Sequence, residues 1–385
     1  MRRMLLVCAG AALLAAVATA QDPIGEISYV EGYPELVRDG DLLPDAIDFG
    51  FVVENFDSIR TTDGSFVEVT IDPSTGIDAT ISIQPDTRFS FDVTGLRHEQ
   101  TGVIDLVAGT ISVVARALAG DSALEVHSAS AVMGVRGTTF SVSTAISGEI
   151  LVSAEQGEVE VSGDGVESTT AEPGFAVEFD PLAGRVRRLQ YSPARLAAFR
   201  SSWLREREAA FRSNAPDLVA EYGNRYLDAR EQFTGAYARL MSYRQILDEW
   251  VDENRRGLRL PLGTRVRNRS TLVGTLLRAR AGMRQVVRLS ALLERMAPYV
   301  APIASQIVVT ADVSGLGLFR MVEQDQRILQ ERVATVMQAL KLYALRNDGL
   351  APRDSGGGAG ESVDPDQSEM PPGMESDTSE QSRAP

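Results

Sequence analysis

Cysteine is nearly missing from this 385-residue chain; the single one is Cys8. It lies in an apolar run from Met4 to Val17, behind Arg2 and Arg3 and ahead of Ala18-Thr19-Ala20 and Gln21. A basic start, an apolar stretch shorter than the roughly 20 residues that span a bilayer, and a small-x-small ending read as an export leader cleaved after Ala20. Cys8 follows Val7 too near the start to be a lipid-attachment site. The mature chain is therefore expected to be periplasmic or secreted, not lipidated, and without a disulfide or thiol nucleophile.

Histidine is equally sparse, with only His98 and His127. A zinc site would need both in one place with a carboxylate, and their spacing does not suggest it; His127 reads as an ordinary strand position and His98 as loop surface. No serine stands in a nucleophile elbow and no glycine-rich phosphate loop opens a helix. The densest acidic stretch, Asp39-Gly40-Asp41-Leu42-Leu43-Pro44-Asp45, lacks the ligand spacing of a calcium loop. The expectation is no catalytic residue, no metal and no cofactor. The chain is read as a non-enzyme, with a hydrolase built on a carboxylate pair as a remote alternative.

Lysine occurs once, at Lys341, so the cations are arginines. Charge is divided along the chain. Residues 21–191 carry a net charge of −20, residues 192–347 carry +10, and residues 348–385 carry −7. Opposite signs let the two large segments attract each other or address different partners. A basic helical tip or face is expected to dock on the acidic segment or on anionic envelope material.

Residues 22–190 read as all-β. Alternating runs occur at Ile24–Val30, Ser65–Ile71, Ala79–Ile83, Thr87–Phe91, Gly102–Val107, Thr110–Val114, Ala123–Val126, Thr139–Val142, Glu149–Val152, Glu158–Val161 and Phe175–Phe179. The runs are short and separated by turn residues, which suits a sandwich, a rolled sheet or a short solenoid. At Ser192-Pro193 the period changes to a helical one, with serine as N-cap and proline in the first helical position. Heptad-like seams then run through Tyr222, Tyr226, Ala229, Phe233 and Leu240, with Arg244 as a defect. They continue through Leu272, Leu276, Ala279, Met283 and Val286, and through Val322, Gln326, Leu329, Val333 and Val336. They predict long helices over 216–254, 268–308 and 316–347, packed as a three-helix bundle or as a homo-oligomeric coiled coil. From Asp348 the composition turns to Gly, Ser, Pro, Asp and Glu, and a disordered acidic tail is expected. The fold class is thus α+β in separate domains: leader 1–20, all-β domain 22–190, long-helix domain 192–347, tail 348–385.

Two stretches stand out as candidate sites. The first is Val132-Met133-Gly134-Val135-Arg136-Gly137-Thr138-Thr139-Phe140. It reads as a glycine-flanked turn feeding a strand, with Gly134, Arg136, Gly137, Thr138 and Phe140 as a structural turn or a partner contact. The two glycines imply close backbone packing. The second is the run 255–269 with Arg255, Arg256, Arg259, Arg265, Arg267 and Arg269 and no acid. It reads as a helix–helix loop able to bind anions such as lipid headgroups or an envelope polymer. Nucleic acid is not expected as a partner of an exported chain.

The β-segment also resembles the FecR domain, the periplasmic all-β module of iron-citrate-type regulators. The resemblance runs over about residues 24–180 in the family's order. It includes Gly25-Glu26-Ile27, Thr62-Asp63-Gly64-Ser65, Pro85-Asp86-Thr87, the stretch His127 to Phe140 with Val135-Arg136-Gly137-Thr138-Thr139-Phe140, Gly157-Glu158-Val159 and Pro173-Gly174-Phe175. It implies an exported, non-catalytic recognition module. The full regulators place an anti-sigma domain and a membrane helix before this module, whereas a leader stands there in this sequence, so control of a sigma factor by this chain is not expected. The function expected is a periplasmic or envelope binding and scaffold protein whose helices act as spacer or oligomerisation domain. The alternative is a signalling input subunit acting in trans on a membrane regulator. Expected partners are an envelope protein or polymer, an anionic membrane surface, and a second copy through the helices.

Overall fold

The computed structural model describes residues 23–38, 41–43, 47–75, 77–92, 101–118, 123–128, 131–135, 137–163, 166–256 and 262–346. The leader, the acidic tail and His98 lie outside the described residues. Among those described, eighteen strands precede four α-helices. The strands begin with β1 (Pro23–Glu31), β2 (Glu35–Arg38), β3 (Asp41–Leu43), β4 (Val52–Glu54), β5 (Ser58–Arg60) and β6 (Phe66–Ile71). They go on with β7 (Ile77–Ile83), β8 (Arg88–Asp92), β9 (Thr101–Ala108), β10 (Thr110–Leu118), β11 (Ala123–His127) and β12 (Ala131–Val135). The last six are β13 (Thr139–Thr144), β14 (Ile150–Gln156), β15 (Val159–Gly163), β16 (Val166–Ala171), β17 (Phe175–Asp180) and β18 (Arg185–Gln190).

The chain passes back and forth between two open sheets of nine strands each. The first runs β18-β17-β14-β13-β10-β7-β6-β1-β4 and the second β16-β15-β12-β11-β9-β8-β5-β2-β3. The strict alternation in the sequence explains the sandwich. Val67, Val69 and Ile71, Ile81 and Ile83, Phe89 and Phe91, Ile111 and Val113, and Phe140 and Val142 all enter one shared core, as a period of two requires. Pairing is antiparallel except between β9 and β11, which run parallel with His127 beside Asp105. At one end of each sheet the outermost strand, β4 or β3, is only three residues long, and short edges limit pairing with other chains.

The helices are α1 (Leu196–Met241), α2 (Arg244–Arg256), α3 (Leu262–Val300) and α4 (Gly315–Arg346). Their seams meet in one apolar core holding Tyr226, Phe233, Leu240, Trp250, Leu272, Leu276, Val286, Leu329 and Val336. The bundle expected from the heptads is therefore present, with different boundaries. Helix α1 begins at Leu196, just after the expected change of period at Ser192-Pro193, and continues through Pro216 rather than starting there; Leu196 and Trp203 cover a sheet. Just before Pro216 the helix is kinked at Asn214, where φ is −131° and ψ 21°; a proline two residues on cannot donate to the preceding turn. The expected helix 216–254 breaks at Ser242-Tyr243, next to the seam defect Arg244. In α4 the seam position belongs to buried Asp325 rather than to Gln326. Asp325 accepts a hydrogen bond from the Tyr226 hydroxyl at 3.0 Å and pairs with Arg230. The Ser192 side chain makes no capping hydrogen bond, and Pro193–Arg195 form a single 3-10 turn before α1.

Sandwich and bundle belong to one compact unit. On β13 and β14 both faces are buried: Phe140, Val142, Ile150 and Val152 face the sandwich core, while the other face lies under α1. Leu151 and Ala176 there pack with Leu196 and Trp203.

Candidate functional site

The first candidate stretch, Val132 to Phe140, divides between strands and a turn. Gly134 is not in a turn, contrary to the sequence reading. It lies in β12, paired with Glu125 on one side and Glu160 on the other. Nor do the two glycines mark close packing, since a Cβ at Gly134 or at Gly137 would meet nothing within 4 Å. Gly137 is needed for its backbone, whose φ is +63°. Arg136 lies outside the described residues. Thr138 is buried, its hydroxyl makes no hydrogen bond among the described residues, and its methyl stands where a Cβ at Gly157 would be. Phe140 is wholly inside the sandwich core. A testable consequence follows. Gly134→Ala is expected to raise stability by about 0.4–1 kcal/mol, because alanine fits a strand and loses less chain entropy on folding. Gly137→Val is expected to destabilise by about 1–3 kcal/mol from its left-handed backbone. Denaturant unfolding of both variants checks the contrast.

The arginine run 255–269 is also arranged differently from a loop. Arg255 and Arg256 end α2, and Arg265, Arg267 and Arg269 stand in the first turns of α3; only 257–261, with Arg259, falls between them and lies outside the described residues. Arg256 pairs with Asp252 at 3.6 Å. Arg269 lies against the Tyr343 hydroxyl. Along α3, Arg265 is 19 residues from Arg284, roughly 28 Å at helical rise. The end of the bundle bearing these arginines is therefore far from the strand contacts described next.

Those contacts form the most heavily built polar site among the described residues, and it joins sandwich to bundle. Strand alternation turns Ile104 and Leu106 into the core and Asp105 to the opposite face, where it is 7% exposed. Arg280, Arg284 and Arg288 follow at spacings of four on one face of α3. Arg288 donates to Asp105 at 2.6 Å and Arg284 lies 3.0 Å from its other oxygen. Burial alone would raise the Asp105 pKa; Arg284, Arg288, His127 and Arg280 overcome this and hold the carboxyl below its ordinary range. His127 in turn contacts Glu125 at 2.7 Å. Two further contacts continue the junction along α3, from Arg88 to Glu294 at 3.2 Å and from Arg295 to the Thr144 carbonyl at 3.4 Å.

Helix α1 supplies the second half of the junction. The Trp203 indole donates to Glu178 at 2.7 Å, and Arg187 pairs with the other oxygen of that carboxylate. Arg207 lies 3.6 Å from Glu149. The Tyr222 hydroxyl donates to the Ser147 carbonyl at 2.8 Å; burial pushes this phenol's pKa up, so it keeps the proton it donates. The basic helical segment thus docks on the acidic strands by a face, not by its tip. Asp105 and its arginines escaped the sequence reading, although a signal exists. Residues 254–293 contain ten arginines and no acid, and like charges at i,i+4 are unfavourable unless something outside the helix compensates.

Among the described residues no group of three His, Cys, Asp or Glu stands where it would hold a metal ion. No helix among them is long and apolar enough to cross a membrane. A groove of about 270 Å³ lies between the end of α1, α2 and α4, lined by Tyr237, Met241, Leu247, Val251 and Leu342.

The FecR protein family matches residues 57–160, so a FecR-domain region is present from β5 to the start of β15. No curated protein matches the chain. Part of it is similar to a solved structure assigned as a candidate anti-sigma factor from Parabacteroides distasonis ATCC 8503. That likeness has 15% identity and a TM-score of 0.32, over 37% of this chain and 63% of that one. A second structure with the same description shows 14% identity and a TM-score of 0.25, over 38% of this chain and 60% of that one.

Proposed function

We propose that this chain is a non-catalytic recognition and scaffold protein of the cell envelope. Its sandwich, with the FecR-domain region, recognises a protein or polymer partner, and its helical bundle holds that sandwich at a fixed attitude. The observation that supports the reading is the buried junction of Asp105 with Arg284 and Arg288, reinforced by Trp203 and Tyr222. A flexible tether between two independent modules would have no use for so costly a contact.

The exposed arginines at the far end of the bundle give the scaffold a second point of attachment, to anionic envelope material. Arg267 and Arg269 stand in the first turns of α3, which hold no acid, at the positive end of the helix dipole. Cations there are unfavourable in the isolated molecule, and an anionic surface offsets that cost.

Capture from envelope fractions tests both halves. The full chain is expected to retain a stoichiometric partner through high-salt washing, and separately to sediment with anionic but not zwitterionic vesicles at low salt, releasing as salt rises. Arg255→Ser with Arg267→Ser should weaken only the vesicle binding. Recovery of no partner in either assay, or turnover of an envelope polymer by the purified chain, would overturn the reading.

A further inference from the structure

The heptad seams are consumed within the molecule. Leu272, Leu276, Ala279, Met283 and Val286 pack against Tyr226, Phe233 and the other helices in one core. Self-association therefore needs another surface, and the helical half offers one. From Met296 to Phe319 the sequence runs for 24 residues with a single charge, Asp312. This stretch contains the end of α3, the connection and the start of α4.

The connection is firmly seated. Ile307 and Val309 are buried, Val308 and Ser314 form a bridge, and the Asn224 side chain donates to the Val309 carbonyl at 3.1 Å. Gly223 of α1 lets Val309 and Leu318 press in where a Cβ would approach both to 2.8 Å. On the outside of this fixed platform remain Tyr299 at 42% exposure, Ile303 at 38%, Val308 at 71% and Leu316 at 38%. Four exposed apolar side chains within 18 residues of one seated connection are what an interaction surface carries, and a preformed one costs little ordering on binding.

Charge selects the occupant. Asp312 is exposed in the turn, while Arg212 lies over the Tyr299 ring at 5.3 Å and exposed Arg320 follows Leu316 by one helical turn. Arg212 is neutralised by Glu208 at 2.7 Å, which leaves an apolar centre flanked by Asp312 and Arg320, and such a surface complements itself under a two-fold axis. A lipid surface fits less well, since Asp312 at the turn would have to enter the headgroup layer. We propose that this connection is the contact by which two copies of the chain pair, with Asp312 of one copy facing Arg320 of the other. The inference is independent of what the sandwich recognises.

The test is light scattering after gel filtration over a concentration series, with single-cysteine cross-linking. Because Cys8 is the chain's only cysteine, Cys8→Ser with Ala311→Cys gives one reporter thiol. A dimer that grows with concentration and cross-links through that thiol is expected. Val308→Glu should raise its dissociation constant at least tenfold without lowering the melting temperature. Asp312→Arg should do the same, and Arg320→Asp in the same chain should restore pairing. A monomer at every concentration, or a dimer indifferent to Val308→Glu and Asp312→Arg, would overturn the proposal. So would a monomer that binds zwitterionic vesicles through Val308.

Discussion

Asp105→Asn is expected to lower the stability of the whole chain by about 3–5 kcal/mol, the usual range when one partner of a buried ion pair is removed. Asparagine keeps the shape and one acceptor but withdraws the negative charge that Arg284 and Arg288 share. The exposed pair between Arg116 and Asp78, at 3.3 Å, is the control; Asp78→Asn should change stability by about 0–1 kcal/mol. The effect also has a pH signature. The Asp105 pKa is depressed in the folded chain, so its stabilising contribution is complete above the unfolded value near about 4 and is lost as pH falls through the lower folded value. Chemical unfolding at neutral and acid pH checks both points. The parent should lose this part of its stability toward acid, and Asp105→Asn should show a flatter acid limb. Equal losses from Asp105→Asn and Asp78→Asn would mean that the junction contributes no more than a surface pair.

The second large effect is expected at Gly148. This residue closes the β13–β14 turn with φ +93°, outside the range that side chains accept. A Cβ there would collide with the Tyr222 hydroxyl. Gly148→Val therefore strains the backbone and displaces the bond from Tyr222 to Ser147. Together these should cost about 2–4 kcal/mol. Gly184, with φ +57° and nothing within 4 Å of a Cβ, separates the two causes. Asparagine, which tolerates left-handed backbone, should be accepted there with little loss. Gly148→Val should also speed hydrogen exchange across Phe211 to Tyr226, because α1 loses its seat on the turn. Unchanged exchange in that stretch would show that the turn does not position the helix.

The fold was largely legible because its strands follow a period of two and its helices a seam. Every alternating run named in the sequence lies on a strand to within one residue. What stayed hidden was what distant parts do to each other. Ala131–Val135 looked like a turn because Gly134 and Gly137 drew attention, yet the β-branched and apolar residues around Gly134 form a strand between β11 and β15. The start of α1 was legible in the change of period at Ser192-Pro193, but not what Leu196, Phe199 and Trp203 pack on, which is the outer face of a sheet. The seam passes through Asp325 because Tyr226 and Arg230 satisfy it, which heptad counting cannot foresee. The candidate sites were the least legible part, since arginines spaced by four look alike whether they face solvent or a buried carboxylate.

Asp105 and Arg288 are 183 positions apart. At roughly 5–20 residues per second, chain synthesis separates their appearance by about 10–40 seconds. In the later part of that interval, after Gln190, the sandwich is complete in sequence while Asp105 on β9 still has no α3 over it. A nascent chain at this stage shows an acidic surface that the finished protein conceals, and it depends on the order of its own delivery, or on a chaperone, to remain unattached until α3 arrives.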